Sequence, residues 1–136
     1  MTKEISCALL AEPHHGLSEG TRALLATIFD TVAMVADESS LFEIAGRVKP
    51  GLLIIDLALA KRKPAHLISR LRDVSPGVKV VVVSVHDERS VVRAVMDAGA
   101  DAFVVKGCIG SELITAIEAV LRGERYPLAG RTEKGA

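Results

Sequence analysis

The sequence predicts an α/β fold in which helices cover both faces of a parallel sheet. Five short runs rich in Val, Ile and Leu alternate with five segments whose apolar residues recur at helical spacing. One run, residues 52–55 (LLII), is wholly apolar, as is typical of a strand buried on both faces. At 136 residues the chain is long enough for one domain with a substantial core. We therefore expect a single doubly wound, five-stranded sheet with right-handed crossovers.

The five apolar runs are predicted as strands because turn residues bound them. Pro50 and Gly51 precede the third run, and Pro76 and Gly77 precede the fourth, which is the longest β-branched run of the chain. The third run leads directly into a carboxylate, Asp56. The predicted strands are residues 5–11, 31–36, 52–56, 78–85 and 102–105.

A helix is predicted after each strand. Ser40 and Glu43 have the spacing of a capping box for the second helix, and Ser111 is predicted as the N-cap of the fifth. Gly99 and Gly123 are expected to end the fourth and fifth helices. The predicted inward residues of the five helices, in chain order, are Leu17, Thr21, Leu24, Leu25 and Ile28; Leu41, Ile44, Ala45 and Val48; Leu67, Ile68 and Leu71; Val91, Val92, Val95 and Met96; and Leu113, Ile117, Val120 and Leu121.

The composition excludes several kinds of partner. The 17 basic and 17 acidic residues balance, so no overall field attracts the chain to nucleic acid or to an anionic membrane. The start lacks the features of a signal peptide, and nowhere do about 18 apolar residues run together. Cys7 and Cys108 form neither a metal spacing nor a disulfide framework. We expect a cytoplasmic protein with no membrane partner.

Four chemically active side chains stand at the ends of different predicted strands: Glu12, Asp56, Ser84 and Lys106. In a parallel sheet these ends meet at one edge, where open α/β folds bind their ligands. Capping does not explain Asp56, because the next helical pattern starts near Ala65. A carboxylate is a nucleophile toward phosphorus, and a cation and a hydroxyl can hold phosphoryl oxygens. An acidic pair with Mg²⁺ usually completes such a site.

In order, spacing and chemistry, these residues resemble the receiver domain of bacterial two-component response regulators, which has the CheY-like fold. The resemblance covers about residues 4–123, and residues 8–25 (ALLAEPHHGLSEGTRALL) are similar to the opening of NarL-like receivers. It implies a flavodoxin-like sheet in the strand order 2-1-3-4-5. It also implies that Asp56 is the phosphoacceptor, that Ser84 and Lys106 assist it, and that Ser84 and Phe103 form a switch.

One departure from the family concerns the metal. Receivers carry two consecutive acids after the first strand, and the second is a Mg²⁺ ligand; this chain has Glu12 followed by Pro13. The resemblance therefore implies a weak Mg²⁺ site that uses Glu12 and Asp56. His14 and His15 are interpreted as loop residues, because adjacent histidines rarely face the same ion.

The leading functional prediction is a signalling module and not an enzyme. A histidine kinase would phosphorylate Asp56, and a partner-binding face around residues 91–121 would respond. The alternative is a degenerate receiver, in which Pro13 has abolished useful Mg²⁺ binding and the domain acts as a phosphorylation-independent interaction module. A flavodoxin-like cofactor domain would need a phosphate-binding loop after the first strand, and residues 12–16 (EPHHG) do not supply one.

Residues 1–123 are predicted as the receiver domain, and residues 124–136 as a flexible tail or the start of a linker. Regulators of the NarL-like kind usually continue into a helix-turn-helix domain, for which residues 124–136 are too few. We therefore expect this chain itself to bind no nucleic acid, and DNA contact would require a DNA-binding domain absent here. A second copy of the chain is a further candidate partner, in a homodimer.

Overall fold

The computed structural model describes residues 7–127, except the side chains of Leu17 and Ser18. Within them lies one five-stranded parallel sheet in the order β2-β1-β3-β4-β5, which confirms the predicted topology. The strands are β1 (Cys7–Ala11), β2 (Thr31–Val35), β3 (Leu52–Asp56), β4 (Lys79–Ser84) and β5 (Ala102–Val105). Each lies inside a predicted strand, and the first two predicted residues of β1 lie outside the described part.

Every predicted helix is present. The helices are α1 (His15–Leu25), α2 (Glu38–Val48), α3 (Pro64–Val74), α4 (Arg89–Asp97) and α5 (Ile109–Leu121), and short 3-10 turns follow β3 (Leu57–Leu59) and β5 (Lys106–Cys108). None of the helices in residues 7–127 has the length and apolar character needed to cross a lipid bilayer.

Two predicted helix caps are wrong. Helix α2 begins before the predicted capping box, because the Asp37 carboxylate accepts the Ser40 backbone N–H at 2.8 Å. Glu43 lies on the exposed side of α2 and pairs with Arg47 at 3.2 Å. Ser111 lies inside the first turn of α5, where its hydroxyl donates to a backbone carbonyl at 3.3 Å. Both helices begin earlier than their apolar periodicity indicates. The Asp37 carboxylate caps α2, and the 3-10 turn Lys106–Cys108 leads directly into α5.

The core consists of two apolar clusters, one on each face of the sheet. Alternate residues of β3 supply both, since successive strand side chains point to opposite faces. Leu53 and Ile55 pack with residues of α2, α3 and α4, whereas Leu52 and Ile54 pack with residues of α1 and α5. Burial on both faces explains why β3 has no polar residue before its last position, Asp56.

The predicted start of a flexible tail, residues 124–126, instead packs along β5. The Phe103 N–H donates to the Tyr126 carbonyl at 2.8 Å, and the Tyr126 N–H donates to the Asp101 carbonyl at 3.0 Å. The Tyr126 hydroxyl donates to Glu112 in α5, and Arg125 donates to two carbonyls at and just after the end of α4. The packed fold thus extends through Tyr126. The rest of the predicted tail, residues 128–136, lies outside the described residues.

Arg72 joins α3 to the segments that lead into β4 and β5. Its guanidinium donates to the carbonyls of Val78 and Gly99 at 2.5 and 2.9 Å, and to the Asp101 carboxylate at 2.6 Å. Asp101 also accepts the backbone N–H of Val80 at 2.9 Å. A side chain at Gly99 would place its Cβ 2.8 Å from Cγ of Arg72, and the φ of Gly99 is +124°. This glycine is therefore required both by the backbone and by the close approach of Arg72.

We expect Arg72→Ala to lower the free energy of unfolding by about 2 to 3 kcal/mol, because the partly buried Asp101 carboxylate and several carbonyls lose their donor. Urea unfolding measures this loss. Arg47→Ala is the matched control, since its pair with Glu43 is well exposed and such pairs contribute about 0 to 1 kcal/mol. Equal losses in the two variants would contradict a structural role for the Arg72 network.

Candidate functional site

Asp56 ends β3 and is only 3% exposed. Its Oδ1 accepts the Ala58 backbone N–H at 2.8 Å, and its Oδ2 accepts a hydrogen bond from Lys106 Nζ. Asp56 therefore does cap a helix, the 3-10 turn Leu57–Leu59, contrary to the sequence analysis. A turn of this length leaves no periodic pattern by which to predict it. The cap and the lysine together fix the orientation of the carboxylate.

Glu12 and Lys106 complete the centre of the site. Glu12 directly follows β1, is 7% exposed, and has its backbone N–H bonded to the Val35 carbonyl at 3.0 Å. Lys106 follows β5, and its side chain is 10% exposed. Its Nζ donates to Glu12 Oε2 at 3.2 Å and also to Asp56. The strand ends thus bring together the two acids and the lysine that the sequence analysis assigned to one cleft.

Two opposing effects act on the pKa of Lys106. Burial disfavours the charged amine and by itself lowers the pKa. The hydrogen bond and negative charge of Asp56, followed by those of Glu12, outweigh burial, and the pKa is raised above its usual value. Lys106 is therefore a permanent cation at neutral pH, and its charge is shared between two buried carboxylates.

Ser84 ends β4 and is buried. Its hydroxyl accepts the backbone N–H of His86 at 2.9 Å, as in the local hydrogen bonds that serine often makes at a strand end. Ser84, Asp56 and Lys106 line one open cavity of about 300 Å³. Since a water molecule takes up about 30 Å³, this space admits a phosphoryl group with several waters.

Phe103 lies away from this cavity lining. It is buried in the apolar cluster that α2, α3 and α4 cover, and Val91, Val92 and Met96 of α4 pack against the same cluster. The structure thus connects Phe103 to α4 through packing.

His14 is the residue whose place in the site the sequence analysis missed. It precedes α1 in an extended conformation, its backbone N–H donates to Glu12 Oε2 at 3.0 Å, and its Nδ1 lies 2.9 Å from the same oxygen. It also lines the cavity that contains Asp56. The sequence argument treated His14 and His15 as a pair, although only His14 lies two positions after a strand-end acid. That spacing was the available signal.

The donor atoms of the site are suitable for a divalent cation. One atom each from Glu12, His14 and Asp56 lie within 4.8 Å of one another. The carboxylate oxygens suit a hard ion such as Mg²⁺, whereas Pro13 offers no side-chain ligand at the position of the second acid. The predicted pair of Glu12 and Asp56 therefore fits Mg²⁺ with fewer oxygen ligands than a site with a second acid would have.

Comparison with known proteins identifies this arrangement. Residues 8–118 match the model of the response regulator receiver domain family. The chain belongs to this family. Over 120 residues the receiver is 28% identical to the transcriptional regulatory protein DegU of Brevibacillus brevis, covering 87% of this chain and 51% of DegU. Over 119 residues it is 26% identical to the nitrate/nitrite response regulator protein NarP of Escherichia coli, covering 86% of this chain and 55% of NarP.

Among solved structures, the receiver is similar to a LuxR family DNA-binding response regulator from Silicibacter pomeroyi. The TM-score is 0.74 at 26% sequence identity, and the match covers 88% of this chain and 93% of that chain. The receiver spans about half the length of the curated relatives that it matches. These findings confirm the predicted family and fold.

We expect Asp56→Asn to lower the pKa of Lys106, because burial remains while the charge and a hydrogen bond of the carboxylate are lost. NMR titration of the lysine Cε resonance measures this pKa. In the natural protein the raised pKa stabilises the fold fully below the unfolded value near 10.4, and this stabilisation is lost as the pH rises through the folded pKa. Asp87→Asn, at an exposed aspartate, is the control. An unchanged or higher pKa in Asp56→Asn would contradict this account of the ion pair.

Proposed function

We propose that this receiver accepts a phosphoryl group on Asp56 from a histidine kinase and thereby changes a partner-binding face. The observation that carries the proposal is the buried Asp56 carboxylate, which is held by a backbone N–H and by Lys106 at the open edge of the sheet. Membership of the receiver family supports the same assignment. The proposed role is in signalling, with the kinase as the phosphoryl donor and the side chains of this receiver assisting the transfer.

In the proposed transfer, an Asp56 oxygen attacks phosphorus while the bond from phosphorus to the kinase's imidazole nitrogen breaks. The leaving nitrogen keeps the electron pair of that bond. Lys106 Nζ lies beside the acceptor carboxylate, so its charge compensates the incoming phosphoryl oxygens. Ser84 lines the same cavity, and its hydroxyl is the proposed donor to one of those oxygens.

Glu12 and Asp56 are the proposed ligands of a weakly bound Mg²⁺, which neutralises charge on the phosphoryl group when it is present. A carboxylate 4 Å from a divalent ion contributes about 4 kcal/mol per unit of ionic charge at an effective dielectric of 20, before desolvation is subtracted. Because position 13 is a proline and not an acid, the site lacks the electrostatic contribution of one carboxylate. Lys106 further weakens binding, because it already pairs with both carboxylates.

Ser84 and Phe103 are the proposed switch. The Ser84 hydroxyl holds the backbone of His86, which lies in the loop before α4. Turning that hydroxyl toward a phosphoryl oxygen gives up this contact and alters the loop, and Phe103 can repack against the α4 residues that share its cluster. Phosphate would then favour one of two surfaces around α4, as a ligand does when it contacts one state preferentially.

The first proposed partner is a cytoplasmic histidine kinase. After phosphorylation, the proposed partner is another protein, and a second copy of this chain is one candidate. Any contact with DNA would require a separate DNA-binding domain, because the charges of this receiver balance. The longer relatives DegU and NarP are named as regulatory proteins, and the Silicibacter protein as DNA-binding, which supports this division of roles.

Incubation with acetyl phosphate and Mg²⁺ is expected to add the mass of one phosphoryl group, labile to hydroxylamine. Asp56→Asn should add none, and Asp87→Asn should behave as the natural protein. Because the Mg²⁺ site is weak, the initial rate should keep rising with Mg²⁺ into the millimolar range. Phosphate on Asp56→Asn would refute the assignment. A natural protein that accepts no phosphate from acetyl phosphate or its kinase would establish the phosphorylation-independent alternative.

Addition of beryllofluoride, a phosphoryl mimic, is expected to shift backbone amide resonances mainly from Ser84 to Lys106, with smaller changes in α5. Ser84→Ala should reduce the shifts in α4 while leaving those next to Asp56. Ser90→Ala, at an exposed serine in α4, is the matched control. Shifts confined to the loop after Glu12 would rule out the proposed switch.

A further inference from the structure

We propose that His14 completes a metal site with Glu12 and Asp56, and that this site prefers divalent ions that accept an imidazole nitrogen, such as Mn²⁺, Co²⁺ or Zn²⁺, over Mg²⁺. The proposal deepens the proposed function and rests on it only for the ion's use in phosphoryl transfer. Binding of the ion itself is a property of these three side chains.

The distances are close to those that one ion requires. Ions of this kind lie about 2.0 to 2.2 Å from nitrogen and oxygen ligands, so two ligands of one ion are at most about 4.4 Å apart. The donor atoms of Glu12, His14 and Asp56 already lie within 4.8 Å of one another. The side chain of His14 is 57% exposed, so its ring can make the small remaining movement. The two carboxylates are buried at strand ends and change little.

The backbone explains why His14 is the ligand among the nearby histidines. Its conformation, with φ of −104° and ψ of 107°, turns the ring back toward Glu12, the residue two positions earlier. His15 follows as the first residue of α1 and does not belong to the donor group. His86 lines the same cavity, but its Nδ1 lies 3.8 Å from Glu88.

The donor set decides which ions the site favours. Mg²⁺ prefers an octahedron of oxygen ligands and keeps several waters. Imidazole suits first-row transition metals, and their affinities generally rise from Mn²⁺ through Co²⁺ and Ni²⁺ to Cu²⁺ and then fall for Zn²⁺. Pro13 removes an oxygen ligand that receivers usually have, and His14 adds a nitrogen ligand. Both changes move the preference away from Mg²⁺.

Lys106 competes with a metal ion for the two carboxylates. Its Nζ contacts both carboxylates, so an arriving ion must displace a cation that already neutralises them. The ion and the amine compete for the same oxygens. Removing the amine, as in Lys106→Met, should therefore raise the affinity for every divalent ion. Removing the imidazole should lower the affinity only for those ions that accept a nitrogen ligand. The two substitutions separate charge competition from ligand choice.

The experiment is a titration of the untagged protein with Co²⁺, followed by its visible absorption, together with Mn²⁺ and Mg²⁺ titrations followed by NMR. We expect Co²⁺ and Mn²⁺ to bind at least about tenfold more tightly than Mg²⁺. His14→Ala should weaken Co²⁺ by at least about tenfold, since even outer partners of a metal site change affinity by about 10- to 100-fold. The affinity for Mg²⁺ should stay nearly unchanged. His15→Ala is the matched control and should leave both affinities as they are.

Pro13→Asp supplies the opposite change. This substitution restores an oxygen ligand, so it should raise the affinity for Mg²⁺ and reduce the difference between the affinities for Mg²⁺ and Co²⁺. Amide NMR spectra establish that each variant is folded. Unchanged Co²⁺ affinity in His14→Ala, an equal loss in His15→Ala, or a natural protein that prefers Mg²⁺ would each overturn the assignment.

Phosphorylation of Asp56, measured by mass in the same proteins, keeps the two proposals distinguishable. If the natural protein accepts phosphate with Mg²⁺ but Co²⁺ binding does not depend on His14, the metal assignment fails and the proposed function stands. If Co²⁺ binds through His14 but no phosphoryl group is accepted, the metal site stands and the proposed function fails.

Discussion

Two buried carboxylates, Glu12 and Asp56, lie at the same edge of the sheet, and the charge of Lys106 stabilises both there. Without a cation they would repel each other in surroundings where water screens poorly. The lysine reaches them because β5 ends at the same edge as β1 and β3. This ion pair therefore depends on the parallel topology, and Asp56 and Lys106 also line the cavity at this edge.

The same arrangement explains how the site can change without loss of the fold. The strands beneath it are held by two apolar clusters that contain none of the three charged groups. Its polar contacts come from short segments just beyond the strands: the residues after β1, the turn after β3, the loop after β4 and the turn after β5. Such segments can adjust to a ligand while the sheet stays in place.

Pro13 and His14 change the chemistry of the first of these segments. The proline removes an acid, and the histidine that follows it bonds to Glu12 through both its backbone and its ring. Another contact lies at the opposite end of β5, where the backbone of Tyr126 pairs with the beginning of this strand. The residues that follow α5 are therefore attached directly to the strand that leads to Lys106.

The sequence by itself determined the α/β class, the five strands and helices, and the set of Glu12, Asp56, Ser84 and Lys106, because strand burial and strand-end polarity are local patterns. Resemblance to receivers supplied the strand order. Only the tertiary structure decided which groups touch: the cap at Asp56, the place of His14 over Glu12, and the attachment of Tyr126 to β5. The first two contacts lie between residues two positions apart and depend on the local backbone turn, whereas the third joins two distant segments. None of them leaves a periodic signal in the chain.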